Sequence, residues 1–367
     1  MNIAYRFRIY PTEEQKILLG KTFGCCRFLY NQMLNDKIQE YEKTKKMLKN
    51  TPAMYKREYP FLKEVDSLAL ANVQLHLEKA YKNFFRDPKI GFPKFKSKHH
   101  SRNSYTTNVV NGNILVESKR IRLPKLKWIA MKKHREPAKG LRLKSVTVSM
   151  EPSGKYFASL LYEGDSCENQ AAEPDYSTAK ILGIDYAMQG MAVFSEEIEM
   201  EEAGFFRKNE KRLVREQRKL SRCVRGSHNY ELQKKKVARC HEKIRNQRRD
   251  YLHKLSRKIV DSYDAVAVED IDMKAMGQCL HFGKSVQDNG YGMFREMLDY
   301  KLAWKGKKIV KVDRFFPSSK KCCQCGRIKK ELKLSERVYH CVCGNEMDRD
   351  RNAAINIREE ARRMLIA

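Results

Sequence analysis

The stretch Ile-Leu-Gly-Ile-Asp at residues 181–185 is an apolar run that ends in a carboxylate. A second run, Ala-Val-Ala-Val-Glu at residues 265–269, has the same form. Short apolar runs of this kind predict buried strands. A bare carboxylate at the open end of a buried strand costs free energy unless a positive charge joins it. Asp185 and Glu269 are therefore candidates for a cation-binding site, although a strand-end acid can also simply face solvent.

A third acid opens the last predicted helix. Asp350 lies in Asp-Arg-Asp-Arg-Asn-Ala-Ala at residues 348–354. Two strand ends and one helix start can converge over one edge of a sheet. Three carboxylates with few other catalytic groups suit two divalent cations, and hard oxygen ligands favour Mg²⁺ or Mn²⁺ over Zn²⁺. The alternative for Asp350 is a simple helix N-cap.

The charge balance indicates a nucleic-acid partner. The 367 residues include 75 Lys and Arg against 45 Asp and Glu, a net charge of +30. Such an excess weakens a compact chain by self-repulsion unless a polyanion neutralises it, and each phosphate contact also releases counterions. A basic membrane anchor would be one segment, whereas this charge runs the whole length. We therefore expect nucleic acid as the partner and no membrane.

The chain length and the N-terminal sequence limit the number of domains and the class of protein that can be expected. A chain of this length can form one large domain or two to three smaller ones. No apolar run approaches the roughly 20 residues of a membrane helix. Residues 1–9 alternate apolar and polar side chains, which predicts a strand rather than a signal peptide. A cytoplasmic location is therefore expected.

The first half predicts a helical bundle inserted in a β domain. After the first strand, Thr12 followed by two acids and Gln15 is typical of a capped helix start. A second helix is expected to begin at Ser67, so the region from about 11 to 87 is interpreted as helical.

From about residue 104 to 163 the pattern is β. Asn111 and Gly112, between residues 106–110 and 114–116, predict a two-residue hairpin. Together with the first strand, this region predicts a small antiparallel barrel or sandwich.

The second half follows a polar, unpatterned stretch at residues 163–179, which is the best candidate for a linker. Two long basic helices are expected between about 205 and 260, with a break near Gly226. The remaining predicted elements are strands at 181–184, 191–194, 265–268 and 309–312, a helix at 291–305 and a last helix from about 350.

Five of the 11 cysteines crowd between positions 322 and 343, which favours a local metal site over disulfides. Two pairs, Cys322 with Cys325 and Cys341 with Cys343, are each followed by Gly, a four-cysteine zinc-ribbon pattern. Cys323 could compete for one ligand position. The spacing of two residues between Cys322 and Cys325 favours Cys322, and we expect structural Zn²⁺.

Several motifs together resemble the TnpB family of transposon-encoded, RNA-guided DNA endonucleases, which are related to compact type V CRISPR effectors. The similarity spans nearly the whole chain. It is carried by residues 183–185, 268–270 and 348–357, which look like the three RuvC motifs, and by residues 8–15, 91–96, 246–250 and 315–320.

The resemblance implies that Asp185, Glu269 and Asp350 are catalytic ligands of Mg²⁺ or Mn²⁺. By the same comparison, Asp270 and Asp348 are neighbours rather than ligands. One departure is visible: the family usually has Gly two residues after the first Asp, where this chain has Ala187.

The implied fold is multidomain α+β, a β-barrel wedge domain with a helical recognition insertion and an RNase H-like RuvC nuclease domain with a zinc-ribbon insertion. The expected boundaries are 1–10 and 88–165 for the wedge domain, 11–87 for the recognition domain, 163–179 for the linker, 180–316 and 346–367 for the nuclease domain, and 317–345 for the zinc ribbon. The implied partners are a guide RNA and target double-stranded DNA.

Basic residues on the strand, on a loop that interleaves aromatics with lysines, and on the long helices are candidates for phosphate contacts. They are Arg6, Arg8, Lys94, Lys96, Lys98, Lys234, Lys235, Lys236, Arg245, Arg248 and Arg249. The alternative for each is an ordinary solvated face.

Three other functions fit parts of the sequence: an RNA-guided repressor that does not cleave, a DNA-strand-transferring transposase, and an RNA-binding protein of ribosomal type. The source of the guide (a transposon or a CRISPR array), the flanking motif, the guide length, the cut positions and the oligomeric state are left open.

Overall fold

The computed structural model describes residues 2–98, 101–164, 174–186, 191–199, 204–271, 290–333 and 335–367. The chain divides into two compact units, residues 1–166 and 167–367. The division falls inside the stretch that was predicted as a linker. Residues 165–173 of that stretch lie outside the described residues, and so does Ala187, the position where the family usually has Gly.

The first unit contains a group of helices between its first two strands. Helices α1 (Glu13–Thr44), α2 (Pro52–Glu58) and α3 (Ser67–Arg86) follow strand β1 (Asn2–Tyr10). Both predicted helix starts are confirmed. The Thr12 hydroxyl accepts from Gln15 N, while the Gln15 side chain accepts from Thr12 N at 3.0 Å. Asp66 caps α3 by accepting from Leu68 N.

The sheet of the first unit has seven strands, and every pair in it is antiparallel. Its other strands are β2 (Asn103–Asn108), β3 (Leu115–Val116), β4 (Arg120–Leu123), β5 (Lys127–Lys132), β6 (Arg142–Met150) and β7 (Tyr156–Glu163). The order β2-β6-β7-β1-β5-β4-β3 places β1 inside the sheet. The helices therefore form an insertion between two strands of one sheet, as the sequence predicted.

The predicted hairpin around Asn111 and Gly112 is wrong in its strand pairing. The turn itself forms, with positive φ of 47° and 67° at the two residues. However, β2 pairs with β6 and β3 pairs with β4, so the turn connects the two outermost strands of the sheet. The Asn113 side chain satisfies the turn locally, accepting from Val110 N and donating to Asn108 O. The Asn-Gly pair thus determines the turn backbone but not which strands pair.

The second unit has a four-stranded mixed sheet of β8 (Ile181–Tyr186), β9 (Ala192–Phe194), β10 (Ala265–Glu269) and β11 (Lys308–Val312). Its order is β11-β10-β8-β9, with β10 parallel to both β8 and β11, and β9 antiparallel to β8. The strands predicted from the apolar runs are confirmed.

The described residues of the second unit include four helices: α4 (Phe205–Ser221), α5 (His228–Ser262), α6 (Tyr291–Trp304) and α7 (Arg349–Ile366). The break between α4 and α5 lies at Gly226, which has φ 82°, and Ser227 then caps α5. A small core of Leu213, Cys240 and Ile244 joins these two helices.

The two faces of the second sheet bury different side chains. Leu182, Ile184, Val266 and Val268 pack with apolar residues of α5 and α6. The alternate positions, among them Ile181 and Ala267, pack against Ile357 and Ala361 of α7. β8 and β10 are therefore apolar on both faces, which accounts for the continuous apolar runs in the sequence.

Between β11 and α7 lies a cysteine-rich segment with two short antiparallel strands, β12 (Val338–His340) and β13 (Glu346–Asp348). None of the helices in the described part of the chain is long and apolar enough to cross a membrane.

Candidate active site and cysteine cluster

The parallel register of β8 and β10 brings two of the predicted acids together. Ile184 lies opposite Val268, so Asp185 and Glu269 follow at matching positions on neighbouring strands. Adjacent strands are about 4.8 Å apart, and alternate residues of a strand share a face. Both carboxylates therefore point to the side of the sheet that α7 covers.

A close approach of α7 to β8 brings in the third acid. Gly183 faces the backbone of α7, and a Cβ atom there would lie 2.0 Å from Ala354 O. Asp350 is one helical turn before Ala354, and Asp185 is two residues beyond Gly183. Since α7 runs against the direction of β8, with Ile357 near Ile181, these two steps bring Asp350 towards Asp185.

The electrostatics of Asp185 report this convergence. Burial, together with the nearby carboxylates of Glu269 and Asp350, raises the pKa of the Asp185 carboxyl to about 8. Burial also raises the pKa of Glu269, while the Ser318 hydroxyl, which donates to Glu269 Oε1 at 3.3 Å, lowers it. The carboxylates of Glu269 and Asp350 are therefore close enough to Asp185 to act on its charge.

Two arginines of the protein pair with the third acid. The Arg349 guanidinium donates to Asp350 Oδ1 at 3.1 Å, and Arg337 lies 3.8 Å from Asp350 Oδ2. The oxygen-only donor set of the three acids fits Mg²⁺ or Mn²⁺ better than Zn²⁺.

The neighbouring acids have other roles. Asp348 is the N-cap of α7 and accepts from Arg351 N at 2.8 Å, so the alternative of a helix cap at Asp350 is wrong. Asp270 lies 3.8 Å from both Arg295 and Arg314.

The four predicted zinc ligands lie together. The Sγ atoms of Cys322, Cys325, Cys341 and Cys343 all lie within 4.8 Å of one another. The Sγ atoms are 3.7 Å apart for Cys322 and Cys343, and 3.6 Å for Cys325 and Cys341. Four thiolates about 2.3 Å from a tetrahedral Zn²⁺ would be about 3.8 Å apart, whereas a disulfide needs about 2.05 Å. The cluster therefore fits zinc.

Local geometry separates Cys322 from its neighbour Cys323. Cys323 Sγ lies 3.4 Å from the Met347 sulfur, outside the cluster. Burial alone would raise the pKa of the Cys322 thiol, but backbone hydrogen bonds from Cys325 and Gln324 and a side-chain bond from Asn345 bring it to about 6. A thiol that is so readily ionised is suited to metal ligation. The choice of Cys322 over Cys323 agrees with this geometry.

Seven of the eleven basic candidates are exposed: Lys94, Lys98, Lys234, Lys235, Lys236, Arg245 and Arg249. The first two lie beside the exposed rings of Phe92 and Phe95. Neither Lys94 nor Lys98 forms an ion pair within the part of the chain that the structure describes.

The other four candidates have structural contacts. Arg6 pairs with Glu151 at 2.5 Å and lies over the Phe157 ring, and Arg8 lies over Tyr10. Lys96 is partly buried with its Nζ 3.8 Å from the centre of the Tyr30 ring. Arg248 is partly buried as well.

Sequence reasoning did not single out several polar residues at the site. Ser318, Asn352 and Asn356 are buried and hydrogen bonded close to Glu269 or the cysteine cluster. Ser318 lies in residues 315–320, a stretch that the sequence marked only through the family resemblance. Two Asn residues four apart inside a helix were the available signal, because Asn disfavours helix interiors.

Comparisons with known proteins match most of the chain. Residues 160–279 match a family model described as "Probable transposase" (OrfB_IS605), residues 291–357 match "Cas12f1-like, TNB domain", and residues 1–46 match "Helix-turn-helix domain". A Streptomyces pristinaespiralis protein named "Putative RNA-guided DNA endonuclease" is 33% identical, over 96% of this chain and 88% of that protein. The chain belongs to the TnpB family.

A second TnpB relative is "Putative RNA-guided DNA endonuclease InsQ" of Escherichia coli strain K12, 31% identical over 96% of this chain and 91% of that protein. The fold of this TnpB-family chain is similar to that of a protein in "Cryo-EM structure of the Cas12f1-sgRNA-target DNA complex", with a TM-score of 0.59, 13% identity and 98% of each chain covered. The fold is therefore Cas12f1-like, of mixed α/β content. In the part matched as helix-turn-helix, the structure shows one strand and one long helix.

Proposed function

We propose that this TnpB-family chain is an RNA-guided DNA endonuclease. A guide RNA pairs with a DNA target beside a short flanking motif, and phosphodiester bonds are hydrolysed at one site formed by Asp185, Glu269 and Asp350. The observation that carries this proposal is the convergence of the three carboxylates on one side of the second sheet, where burial and the two neighbouring acids raise the pKa of Asp185 to about 8. The names of the relatives point to the same activity.

The three acids would hold Mg²⁺ or Mn²⁺. When bound, such ions would lower the pKa of an attacking water and stabilise the leaving 3′ oxygen. The protein supplies the geometry around them. The matched strand positions fix the spacing of Asp185 and Glu269, and Arg349 orients Asp350. Asp185 must release its proton for the site to bind cations, since carboxylates ligate metals in their charged form.

Nucleic-acid contacts would come from both units. In the first unit, Lys94 and Lys98 project beside exposed Phe rings, an arrangement suited to phosphate pairing and base stacking. A cavity of about 190 Å³ in the same unit is lined by Arg27, His76 and Arg102 and admits a polar ligand group. In the second unit, the exposed cations of α4 and α5 would contact duplex backbone, leaving sequence to base pairing.

We assign the domains accordingly. Residues 1–10 and 88–165 would form the wedge domain, residues 11–87 the recognition domain, residues 180–316 and 346–367 an RNase H-like RuvC nuclease domain, and residues 317–345 a zinc ribbon. The sheet orders of the two units and the position of the cysteine cluster between β11 and α7 support this division.

A matched pair of acids tests the active site. The protein is purified with its bound RNA, that RNA is sequenced, and a plasmid carrying the complementary target is incubated with Mg²⁺. Asp350→Asn should abolish cleavage while RNA binding stays near wild type. Asp348→Asn should cleave normally, because Asn caps a helix as well as Asp.

The products separate the competing functions. Linear or nicked plasmid supports an endonuclease, and joined DNA ends would indicate strand transfer. Tight target binding by the wild-type protein without any break would indicate a repressor. Undiminished Mg²⁺-dependent cleavage by the Asp350→Asn variant would refute the assignment of the carboxylates.

A further inference from the structure

The segment that leads from β11 into the cysteine cluster touches a candidate catalytic acid. Ser318 is 6% exposed, and its hydroxyl donates to Glu269 Oε1 at 3.3 Å. Among the hydrogen bonds of the described residues, this is the one that a side chain donates to Glu269. The orientation of this carboxylate therefore depends on where the backbone of Ser318 is held.

Two asparagines of α7 hold that backbone. Asn356 donates from Nδ2 to Ser318 O at 2.8 Å and to Lys321 O at 2.6 Å. Asn352 donates to Lys321 O at 2.7 Å and accepts from Cys323 N at 3.0 Å. Both asparagines are almost completely buried. A buried amide without partners is costly, so these side chains fix the segment to the helix.

The same contacts continue into the cysteine cluster. Lys321, whose carbonyl both asparagines bind, precedes Cys322 directly. Cys322 Sγ accepts from Asn345 Nδ2 at 3.4 Å and lies 3.7 Å from Cys343 Sγ. Asn352 and Asn356 lie on the helix that also carries Asp350. One helix thus holds the third carboxylate and, through its amides, both the first cysteine knuckle and the serine that contacts Glu269.

We infer that Ser318 and Asn356 are positioning residues for Glu269, and that through them an intact four-cysteine cluster sustains cation binding by the three carboxylates. The inference rests on the proposed function, since it takes those carboxylates as cation ligands. Groups that orient a metal ligand typically change metal affinity by 10- to 100-fold when removed. A loosened Ser318 would therefore weaken cation binding although every ligand remains in place.

The test is a Mn²⁺ titration of the purified zinc-loaded chain, without nucleic acid, by calorimetry or electron paramagnetic resonance. Ser318→Ala should weaken Mn²⁺ binding about tenfold, at the lower end of the effect of such groups. Ser318→Thr keeps the hydroxyl and should bind Mn²⁺ nearly as the wild type does. Asn356→Leu should weaken Mn²⁺ binding as Ser318→Ala does. If Asn356→Leu does not fold, the comparison of Ser318→Ala with Ser318→Thr decides the test.

A buried serine elsewhere in the second unit provides the control. Ser256 is also fully buried, and its hydroxyl contacts Leu252 O and Lys301 Nζ rather than any of the three acids. Ser256→Ala should lower thermal stability without changing Mn²⁺ affinity. Equal loss of affinity in Ser256→Ala and Ser318→Ala would overturn the inference, as would wild-type affinity in Ser318→Ala.

The link to the cysteines has its own experiment. Cys341→Ser should lose zinc and weaken Mn²⁺ binding to a similar extent as Ser318→Ala, although Cys341 does not contact Glu269. Unchanged Mn²⁺ affinity in the zinc-free variant would refute the link.

Asp185→Ala identifies the cause of any failure. If this variant still binds Mn²⁺ as the wild type does, the proposed active site is wrong, whereas its loss of binding beside a normal Ser318→Ala would refute only the positioning role.

Discussion

Gly183 and Ala354 are in such close contact that a Cβ atom on Gly183 would lie 2.0 Å from the carbonyl oxygen of Ala354. The obstacle is helix backbone, which cannot move aside as the end of a flexible side chain can. This contact fixes the distance between β8 and α7, and these two elements carry Asp185 and Asp350. The glycine two residues before the first acid is therefore part of the active-site geometry.

Gly183→Ala should displace α7 and reduce both stability and cleavage. Overpacking of this kind typically costs about 1–3 kcal/mol. Thermal unfolding and plasmid cleavage measure the two effects. Gly292→Ala is the matched control, because Gly292 lies in α6 with open space at its Cβ position and Ala favours a helix. The melting temperature of Gly292→Ala should stay unchanged or rise. Wild-type stability and cleavage in Gly183→Ala would show that the contact with Ala354 does not determine the site geometry.

The raised pKa of Asp185 predicts how stability depends on pH. Between its ordinary value of 3.8 and about 8, the folded protein keeps a proton that the unfolded chain has released. The stability of the cation-free protein should therefore fall as the pH rises through this window. Asp185→Asn should remove that part of the slope and melt above the wild type at pH 8. Melting temperatures measured from pH 5 to 8 without added divalent cations check this expectation.

Asp261 is a control because its pKa is shifted in the opposite direction to that of Asp185. A hydrogen bond from Lys305 and the nearby Arg257 lower the pKa of Asp261. Asp261→Asn should therefore lose a stabilising interaction that the wild type has above pH 4, instead of gaining stability at pH 8. Activity adds a further check, because the Mg²⁺ concentration for half-maximal cleavage should decrease as the pH rises towards 8. A requirement for Mg²⁺ that does not vary with pH would contradict the role of the Asp185 proton.

The cysteine cluster predicts a zinc content of one ion per chain. Cys325→Ser should lower this content and destabilise the second unit, because structural zinc sites contribute directly to folding. Cys323→Ser is a demanding control, since this cysteine is adjacent in sequence to Cys322 but contacts Met347. Metal analysis of the two purified variants decides the ligand set. Loss of zinc from Cys323→Ser would mean that the wrong cysteine of the neighbouring pair has been assigned.

In the aromatic and lysine-rich stretch at residues 91–98, replacing lysine by alanine should have different effects at Lys94 and at Lys96. Lys94 is exposed, so Lys94→Ala should weaken RNA binding and reduce the slope of log K against log salt by about one. Lys96 packs over Tyr30, and its backbone is held by Asn31. Lys96→Ala should lower the melting temperature with a smaller change of salt dependence. Identical salt slopes for Lys94→Ala and the wild type would exclude Lys94 from the interface.

Much of the fold was predictable because its signals are local. The capping residues at Thr12, the glycine break at Gly226 and the apolar runs before Asp185 and Glu269 each determine one element within a few positions. The strand pairing near Asn111 was not predictable in this way. A turn sequence determines its own dihedral angles, but the partners of β2 and β3 depend on strands further along the chain.

The residues of the candidate site also differ in whether the sequence alone reveals them. The proposed catalytic acids stand out as charges in apolar contexts, and the proposed zinc ligands stand out by their spacing. Ser318 and Asn356 do not, because their function depends on tertiary contacts between β10, the cysteine-rich segment and α7. Likewise, nothing in the alternation of β1 showed that Arg6 would pair with Glu151.

The position of β1 inside the first sheet has a consequence for synthesis. β1 pairs along its length with β7, from Asn2 opposite Glu163 to Ile9 opposite Tyr156. Its other neighbour, β5, is also more than a hundred residues away. Pairing over such separations is slow to form. A ribosome must therefore release both β5 and β7 before β1 finds its two partners, and the helices between them can pack in the meantime.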